Sequence, residues 1–296
     1  MKKRKSEERF AYSVVSPALI IVFFVVIAPM VITLMYTFVN MDSTSTRTGQ
    51  FMGFHYYISA LSSAQFWADF GRTMYYTVLS TAAETIVGLL IALLLDQDFK
   101  GVKFLRAITI IPWAIPTVVN GSLWKLIFNG QYGVLNAILL RLHLISSYQS
   151  WLGDPGSAMN AIVIADAWKM TPLAVIFFLA ALQGFNRATY EAAMVDGAGV
   201  FRRFWVLTLP YLKSTILIVV VMRTVEKFKA FDLFYIMTRG GPADGTKTLM
   251  YDAYLKAFTN LNYSQAATYA YLIAIIVVML TVAYMKIMRK GSDELE

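Results

Sequence analysis

Long stretches of apolar residues dominate the chain, and most of its polar residues lie in the segments between them. A helix needs about 20 mostly apolar residues to cross the hydrocarbon core of a bilayer. The pattern therefore predicts an all-α membrane protein with six transmembrane helices. The six stretches that reach this length are approximately Tyr12–Val39, Thr73–Leu95, Phe104–Phe128, Ser157–Leu182, Tyr211–Phe231 and Ala266–Met288.

The composition also indicates a lipid environment. Of the 296 residues, 58% are hydrophobic and 15% are charged, whereas soluble domains average roughly 45–50% apolar and about 25% charged residues. The net charge of +8 comes from basic residues at the ends of the apolar stretches, which indicates membrane topology and argues against nucleic acid as a partner. The first stretch follows "MKKRK", but it is too long for a signal peptide and has no small-residue cleavage site before Asn40.

Few residues offer the chemistry that enzymes use. The chain has no cysteine, which excludes disulfides and thiolate chemistry, and His55 and His143 lie far apart without partners at metal-ligand spacing. The segment "GGPADGTKT", which begins at Gly240, comes close to a phosphate-binding loop, but Lys247 does not directly follow Gly245 and no apolar strand precedes it. We expect no metal site, no catalytic residues and no cofactor in this chain.

The distribution of lysine and arginine predicts the orientation of the helices. Of the 26 such residues, about fourteen lie in the N-terminal tail, the loop near Lys100, the loop near Thr189 and the C-terminal tail, and about six lie in the three longer alternating loops. The positive-inside rule then places both termini in the cytoplasm. We expect a cytoplasmic tail (1–11), a first transmembrane helix with an outer loop (12–72), a core transmembrane domain (73–288) and a second cytoplasmic tail (289–296).

Five prolines lie within the predicted helices, where each removes a hydrogen bond and tends to kink or break its helix. In lipid such breaks persist where neighbouring helices or a water-filled cavity satisfy the freed carbonyls. Two interpretations stay open: a bundle packed around a path, or ordinary kinks that serve packing. The prolines are Pro17, Pro29, Pro112, Pro116 and Pro172.

The segment between the fourth and fifth stretches is predicted to form two short helices joined by a tight turn. Thr189 can cap the first helix, and Gly197 suits the left-handed position that ends it. The second helix, Val200 to about Leu207, has an aromatic face and two arginines on another face. We call residues 189–207 the knuckle. Its small-residue surface fits either a docking site for another protein or an amphipathic segment on the membrane surface.

The sequence of the knuckle resembles the EAA loop of permeases from ATP-binding-cassette (ABC) importers. The stretch "EAAMVDGAGVFRRFWVLTLP", from Glu191 to Pro210, keeps the pattern of that loop. The resemblance implies a cytoplasmic coupling-helix loop between spans four and five, which sits in a groove of an ATPase subunit. The residues to which it assigns the coupling role are Glu191, Ala192, Ala193, Asp196, Gly197, Ala198 and Phe204.

Two further segments narrow the resemblance to carbohydrate importers. The segments "IIPWAIPTVVNGSLWKLIFNGQYGVLNAIL" (Ile110–Leu139) and "FKAFDLFYIMTRGGP" (Phe228–Pro242) are similar to those of maltose and glycerol-phosphate permeases, except that Arg239 replaces a glycine. The resemblance implies a bacterial inner-membrane protein that imports a sugar or sugar-like solute. It also implies a heterodimer with a second permease subunit, two ATPase subunits that hold ATP and Mg, and an extracytoplasmic solute-binding protein.

Polar and aromatic residues of the spans are candidates for a solute path, because sugars are bound by aromatic faces and by groups that hydrogen-bond to hydroxyls. Charged residues in spans usually face a cavity or one another. Asp166 with Lys169, and Arg223 with Glu226, are spaced to pair on one helix face, so a structural role stays open for both pairs, as anchoring or packing does for the tryptophans. The candidates for the path are Trp113, Asn120, Trp124, Arg223, Glu226 and Asp232.

Other functions stay open at this point. A secondary transporter would show inverted repeats and midplane ion-binding groups, and the sequence has no clear repeat of that kind. An importer of amino acids, peptides or oxyanions would share the architecture and differ only in its solute. A membrane enzyme would need a set of catalytic groups, which the sequence does not offer.

Overall fold

The computed structural model describes residues 2–44, 46 and 48–292. Within those ranges every regular element is helical, and the β-type contacts are two isolated bridges, Val39–Phe51 and Asp42–Asn262. Single π-helical turns join α1 to α2 and α10 to α11, and one follows α13, at Phe23–Ile27, Phe204–Thr208 and Leu255–Thr259. The α-helices are α1 (Lys2–Val22), α2 (Ala28–Tyr36), α3 (His55–Leu61), α4 (Ala64–Leu95), α5 (Val102–Ala114), α6 (Thr117–Ile127), α7 (Val134–Arg141), α8 (Pro155–Gln183), α9 (Arg187–Val195), α10 (Val200–Arg203), α11 (Leu209–Phe228), α12 (Asp232–Met237), α13 (Leu249–Tyr254) and α14 (Tyr263–Ser292).

Among the described residues, five helices are long and apolar enough to cross a membrane, and a bent pair of helices makes six when the pair is counted as one span. The bent pair is α5 with α6, and the angle between them is 95°. The predicted all-α membrane fold is confirmed. We number the spans 1 to 6 in chain order, with the bent pair as span 3. The other five spans are Tyr12–Tyr36, Ala64–Leu95, Pro155–Gln183, Val200–Phe228 and Tyr263–Lys286.

Span 3 is bent because proline stops its first helix. Ile115 is extended, with φ −74° and ψ 130°, since a residue that precedes proline is disfavoured in the helical conformation. Pro116 is also extended, and the next helix begins directly after it. The predicted stretch Phe104–Phe128 therefore forms two helices, with the break at Pro116, one of the prolines predicted to kink or break a span. Pro17 and Pro172, in contrast, lie inside uninterrupted α-helices.

Span 5 begins earlier than the sequence predicts. The pattern predicts a separate second knuckle helix and a span that starts at Pro210, whereas one helix runs from Val200 to Phe228. In the π turn that joins the two parts, the Leu209 N–H donates to the Phe204 carbonyl. This wider turn directly precedes Pro210, which has no N–H to donate, and the helix continues through it into α11.

The chain divides into two compact units, Met1–Phe66 with Asp252–Leu272 and Trp67–Tyr251 with Ile273–Glu296. In the first unit, hydrogen bonds tie the segment after span 1 to the start of α14. The Met41 N–H donates to the Ser264 hydroxyl at 2.7 Å, and the Asn262 amide donates to the Asp42 carboxylate at 3.1 Å. These side-chain hydrogen bonds therefore add to the backbone pairing of the Asp42–Asn262 bridge in closing this unit.

The core of the second unit lies where spans 2, 4 and 5 pack together. A Cβ atom on Gly88 would lie 2.7 Å from the Cβ of Ala174, so spans 2 and 4 approach closely at this point. Close contact between small residues favours association of membrane helices, because van der Waals packing drives it. The buried core residues are Ala92, Leu95, Ala174, Val175, Phe178, Leu182, Leu212 and Val219.

We predict that Gly88→Ala destabilises the protein. The added methyl group would overlap Ala174 and push spans 2 and 4 apart, at a cost of about 1–3 kcal/mol. Gly71→Ala is the matched control, because Gly71 lies in the same helix and a Cβ there meets nothing within 4 Å. The midpoint of thermal unfolding in detergent should fall for Gly88→Ala alone. Equal midpoints for the two variants would contradict the close packing.

Candidate functional site

Four charged side chains from three spans meet inside the second unit. We call Glu84 of span 2, Asp166 of span 4, and Arg223 and Lys227 of span 5 the charge cluster. The Arg223 Nε donates to a Glu84 carboxylate oxygen at 2.6 Å, and the Lys227 Nζ donates to the other oxygen at 2.5 Å. Lys227 also pairs with Asp166. All four residues are buried, so the charge cluster holds the three spans together.

The spacing of these residues along the helices brings them together. Arg223 and Lys227 are four apart and therefore share one face of span 5. On span 2, Tyr76 lies two turns before Glu84, and its hydroxyl donates to the Asp166 carboxylate at 2.8 Å. A charge at the centre of a membrane helix costs about 2.5–3.5 kcal/mol, and each of these pairings offsets part of that cost.

Three members of the charge cluster, Asp166, Arg223 and Lys227, line a cavity of about 150 Å³. Glu226 also lines this cavity; its side chain is 43% exposed and pairs with the Arg223 Nη1. The Arg223 Nη2 is buried without a hydrogen-bond partner. The wall therefore offers both donors and carboxylate acceptors, a combination that suits a solute whose hydroxyls donate and accept. Further lining residues are Tyr76, Thr117, Met170 and Asp232.

Three of the six candidates for the solute path lie together at this cavity: Arg223, Glu226 and Asp232. The other three, Trp113, Asn120 and Trp124, lie away from this cavity, in span 3. Asn120 is fully buried, and its amide donates to the Ala165 carbonyl of span 4 at 3.1 Å.

Trp113 is 44% exposed on α5. Trp124 stacks on Phe128 and meets the edge of Trp168, with ring centroids 5.2 and 5.9 Å apart. Among the described residues, the lining of the cavity does not include Trp113, Asn120 or Trp124. That these three residues line a solute path therefore stays a prediction, for a part of the path away from this cavity.

Sequence reasoning missed two members of the charge cluster, Glu84 and Lys227, and it offered Lys169 as the partner of Asp166. In the structure Lys227 is the ion-pair partner of Asp166, because span 5 packs against that face of span 4. One signal was available. Glu84 is the lone charge in the stretch Thr73–Leu95, and a lone carboxylate in a span requires a cation from another helix.

The backbone conformation after span 5 explains why the resembling permeases have a glycine at the position of Arg239. This residue has φ +53°, in the left-handed region, and the following Gly240 has φ +80°. A glycine adopts such a conformation without strain, which accounts for the glycine of the resembling permeases. In this chain Arg239 adopts the left-handed conformation with a larger side chain.

The first helix of the knuckle begins and ends with defined caps. The first helix, α9, starts two residues before the predicted cap Thr189, and the Asn186 side chain caps it by accepting the Ala188 N–H at 3.0 Å. At its end Gly197 has φ +76°, which confirms the predicted left-handed turn. The Ala198 N–H then donates to the Ala193 carbonyl at 2.9 Å and closes the turn.

The candidates for ATPase coupling lie on the outside of the knuckle. Glu191, Ala192, Asp196 and Gly197 are exposed, and Ala193, Ala198 and Phe204 are half-buried. Two neighbouring apolar residues are more open still, because Val195 and Phe201 are 88% and 83% exposed. A small-residue surface flanked by exposed apolar side chains can dock against another protein.

Contacts connect the knuckle to several spans. The Arg203 guanidinium lies 4.8 Å from the ring centroid of Tyr190. Phe185, two residues after the end of span 4, packs edge-on against both Tyr190 and Tyr211. Span 5 continues directly from the knuckle. A displacement of the knuckle therefore reaches spans 4 and 5.

A cavity of about 440 Å³ separates the knuckle from the loop after span 2. Arg187 of the knuckle helix lies 3.6 Å from Asp98 of that loop. Burial raises the pKa of the Asp96 carboxyl in the same loop, although Arg187 and Arg106 act to lower it. The loop after span 2 thus gives the knuckle an additional contact.

Membrane-crossing helices, a charge cluster beside an internal cavity and an exposed knuckle define the class of the protein, a multi-span membrane transport protein. The chain belongs to the family of binding-protein-dependent transport system inner membrane components, whose model matches residues 84–290. The resemblance to importer permeases is therefore confirmed.

Two relatives that are named as permease proteins of transport systems match nearly the whole chain. The trehalose/maltose transport system permease protein of Thermococcus litoralis is 36% identical over 295 residues, which are 99% of this chain and 98% of that protein. The sulfoquinovosyl glycerol transport system permease protein of Agrobacterium fabrum is 32% identical over 280 residues, which are 94% of this chain and 90% of that protein. These relatives are permease subunits of transport systems rather than enzymes.

The fold is also that of a solved transporter. A chain in the crystal structure of a bacterial ABC transporter involved in the import of the acidic polysaccharide alginate matches with a TM-score of 0.83. The match covers 98% of this chain and 99% of that chain at 21% sequence identity. At this identity the likeness establishes the fold.

We predict that Glu84→Gln strongly destabilises the protein. Glu84 is the carboxylate that Arg223 and Lys227 share, and removing one partner from a buried ion pair costs about 3–5 kcal/mol. Glu226→Gln is the control, because its half-exposed carboxylate should contribute less than about 1 kcal/mol. Thermal unfolding in detergent compares the two. A Glu84→Gln variant as stable as Glu226→Gln would contradict the structural role of the charge cluster.

Proposed function

We propose that this chain is the permease subunit of an ATP-driven, binding-protein-dependent importer, and that its solute is a sugar or a sugar-like compound. The observation that carries the proposal is the cavity beside the charge cluster. Its lining combines the cationic side chains of Arg223 and Lys229 with the carboxylates of Glu226 and Asp232. Sugar hydroxyls can meet both kinds of group, and the named solutes of the relatives above carry such hydroxyls.

The proposal includes partners that the knuckle and the family description suggest. A second permease subunit would complete the pore as a heterodimer. Two ATPase subunits, which would bind ATP and Mg, would dock on the knuckles of the two permeases. An extracytoplasmic solute-binding protein would deliver the solute. In this arrangement the chain lies in a bacterial inner membrane with both termini in the cytoplasm.

The contacts of the knuckle suggest how ATP hydrolysis moves the spans. Closure of the ATPase subunits would push the knuckle, and the push would pass through Phe185 to span 4 and directly into span 5. These spans hold Asp166, Arg223 and Lys227, so their displacement would act on the charge cluster. The bundle would then alternate between inward-facing and outward-facing states, and the solute would pass the residues of the cavity.

Reconstituted transport tests the proposed function. The chain would be purified in mild detergent with its bound subunits, which mass spectrometry identifies, and the complex placed in liposomes with its binding protein and ATP. Labelled maltose, glycerol phosphate and an amino acid would each be tested for uptake. We expect ATP-dependent uptake of a sugar-like solute from this panel. Uptake of the amino acid alone would overturn the substrate class, and a chain that purifies alone would overturn the partners.

We predict that Gly197→Val uncouples ATP hydrolysis from transport. A β-branched residue resists the φ of +76° at this position, so the turn of the knuckle should distort. Gly199→Val is the matched control, because Gly199 has φ −64° and both glycines have open space around them. For Gly197→Val alone, the amount of ATPase subunit that purifies with the chain and the rate of solute uptake into liposomes should each fall at least about tenfold. Equal losses in both variants would argue against the turn geometry.

A second variant tests the cavity. Glu226→Gln should raise the KM for the solute about tenfold, because a hydrogen bond to a charged group is stronger than one to a neutral group. Uptake kinetics in liposomes measure this, with the amount of inserted protein determined in parallel. A reduced amount of protein with unchanged KM would instead assign Glu226 a purely structural role.

A further inference from the structure

Lys169 is a buried cation that lies near the middle of span 4, and only 7% of its surface is exposed. Within the part of the chain that the structure describes, its side chain makes no hydrogen bond and no ion pair. A charge without a partner in the interior of a membrane protein is unfavourable. The present arrangement of the spans therefore leaves Lys169 unsatisfied, and a different arrangement can give it a partner.

Asp166 is the carboxylate that suits Lys169 best. The two residues are three apart on one helix and share a face, and among the charges that act on Lys169 the attraction of Asp166 is the largest. The Asp166 carboxylate already accepts from the Lys227 Nζ and the Tyr76 hydroxyl, however. The positive charges of Arg223 and Lys227 also repel Lys169. Lys169 and Lys227 therefore compete for one carboxylate.

Lys227 holds two other spans at once. Its Nζ lies 2.5 Å from the Glu84 carboxylate of span 2 and also pairs with Asp166 of span 4. A shift of span 5 relative to span 4 would separate Lys227 from Asp166. A pair formed within one helix, in contrast, is unaffected when rigid helices move past one another. Lys169 moves with Asp166 and therefore stays within its reach at every position of span 5.

We propose that Lys169 replaces Lys227 as the ion-pair partner of Asp166 when span 5 moves away from span 4 during transport, an inference that rests on the proposed function. In the second state Lys227 keeps Glu84 and Lys169 takes Asp166, so each buried carboxylate has a cation in both states. Without Lys169 the second state would contain a buried carboxylate that lacks a cation, which would disfavour that state. Lys169 is thus a positioning residue for alternating access.

Thermal unfolding in detergent tests the exchange of partners independently of transport. Lys169→Met removes a buried charge that has no partner in the present state, so we expect the unfolding midpoint to rise. In a Lys227→Met background Lys169 would become the partner of Asp166, so the same substitution should there lower the midpoint. Lys213→Met is the matched control, because Lys213 is an exposed lysine of span 5 and should act equally in both backgrounds. A midpoint that falls for Lys169→Met alone, or an effect of the same sign in both backgrounds, would overturn the inference.

Uptake kinetics in liposomes test the place of the exchange in transport and need only the single variant Lys169→Met. The labelled solute is maltose or glycerol phosphate, whichever the wild type accumulates. We expect turnover to fall at least about tenfold with KM little changed, because the second state loses a cation, and Lys169→Arg should retain turnover.

The outcomes separate the inference from the proposed function. Unchanged turnover in Lys169→Met, with wild-type uptake intact, would overturn the inference and leave the proposed function standing. Failure of the wild type to take up either labelled solute would instead overturn the proposed function, and the unfolding midpoints would still decide whether Lys169 can replace Lys227.

Discussion

A charge buried among membrane helices requires an opposite charge, and this requirement governs how spans 2, 4 and 5 are arranged. Glu84 receives two cations from span 5, and Asp166 of span 4 shares one of them. Each charged group alone would be unfavourable in a low-dielectric interior. The register of the three helices is therefore fixed at the charge cluster, and the apolar core beside it fills the remaining space between them.

The arrangement brings the parts of a transport device into contact. The charge cluster involves Asp166, near the middle of span 4, and Arg223 and Lys227, near the C-terminal end of span 5. Phe185, Tyr190 and Tyr211 connect the knuckle to the opposite end of span 5 and to the end of span 4. Span 5 is continuous from the knuckle to the charge cluster, because the π turn at Phe204–Thr208 carries the helix through. A rigid helix transmits displacement better than two helices joined by a loop. The structure thus joins the knuckle to the charge cluster more directly than the sequence pattern predicts.

The sequence predicts those features that local chemistry determines. Apolar length predicts the spans, since the bilayer sets it, and Gly197 marks the left-handed turn because few other residues adopt it. The sequence does not determine the bend at Pro116. Pro172 also lies within a span, yet its helix is unbroken, because neighbouring helices decide whether a proline breaks a helix. The partner of Asp166 cannot be deduced from spacing along one helix. Lys169 satisfies the spacing, but the packing of span 5 supplies Lys227 instead.

Stability alone does not explain why the interior holds ion pairs. Apolar side chains of similar volume often stabilise a protein as well as a buried ion pair does, so such a pair is weak support for a role in stability alone. Arg223 is shared between the buried Glu84 and the half-exposed Glu226 at the cavity. A guanidinium with two carboxylate partners can change its share of each when span 5 moves, whereas an apolar core has one best packing. The charge cluster is therefore suited to two arrangements of the same helices, which is what alternating access demands of the spans that line a path.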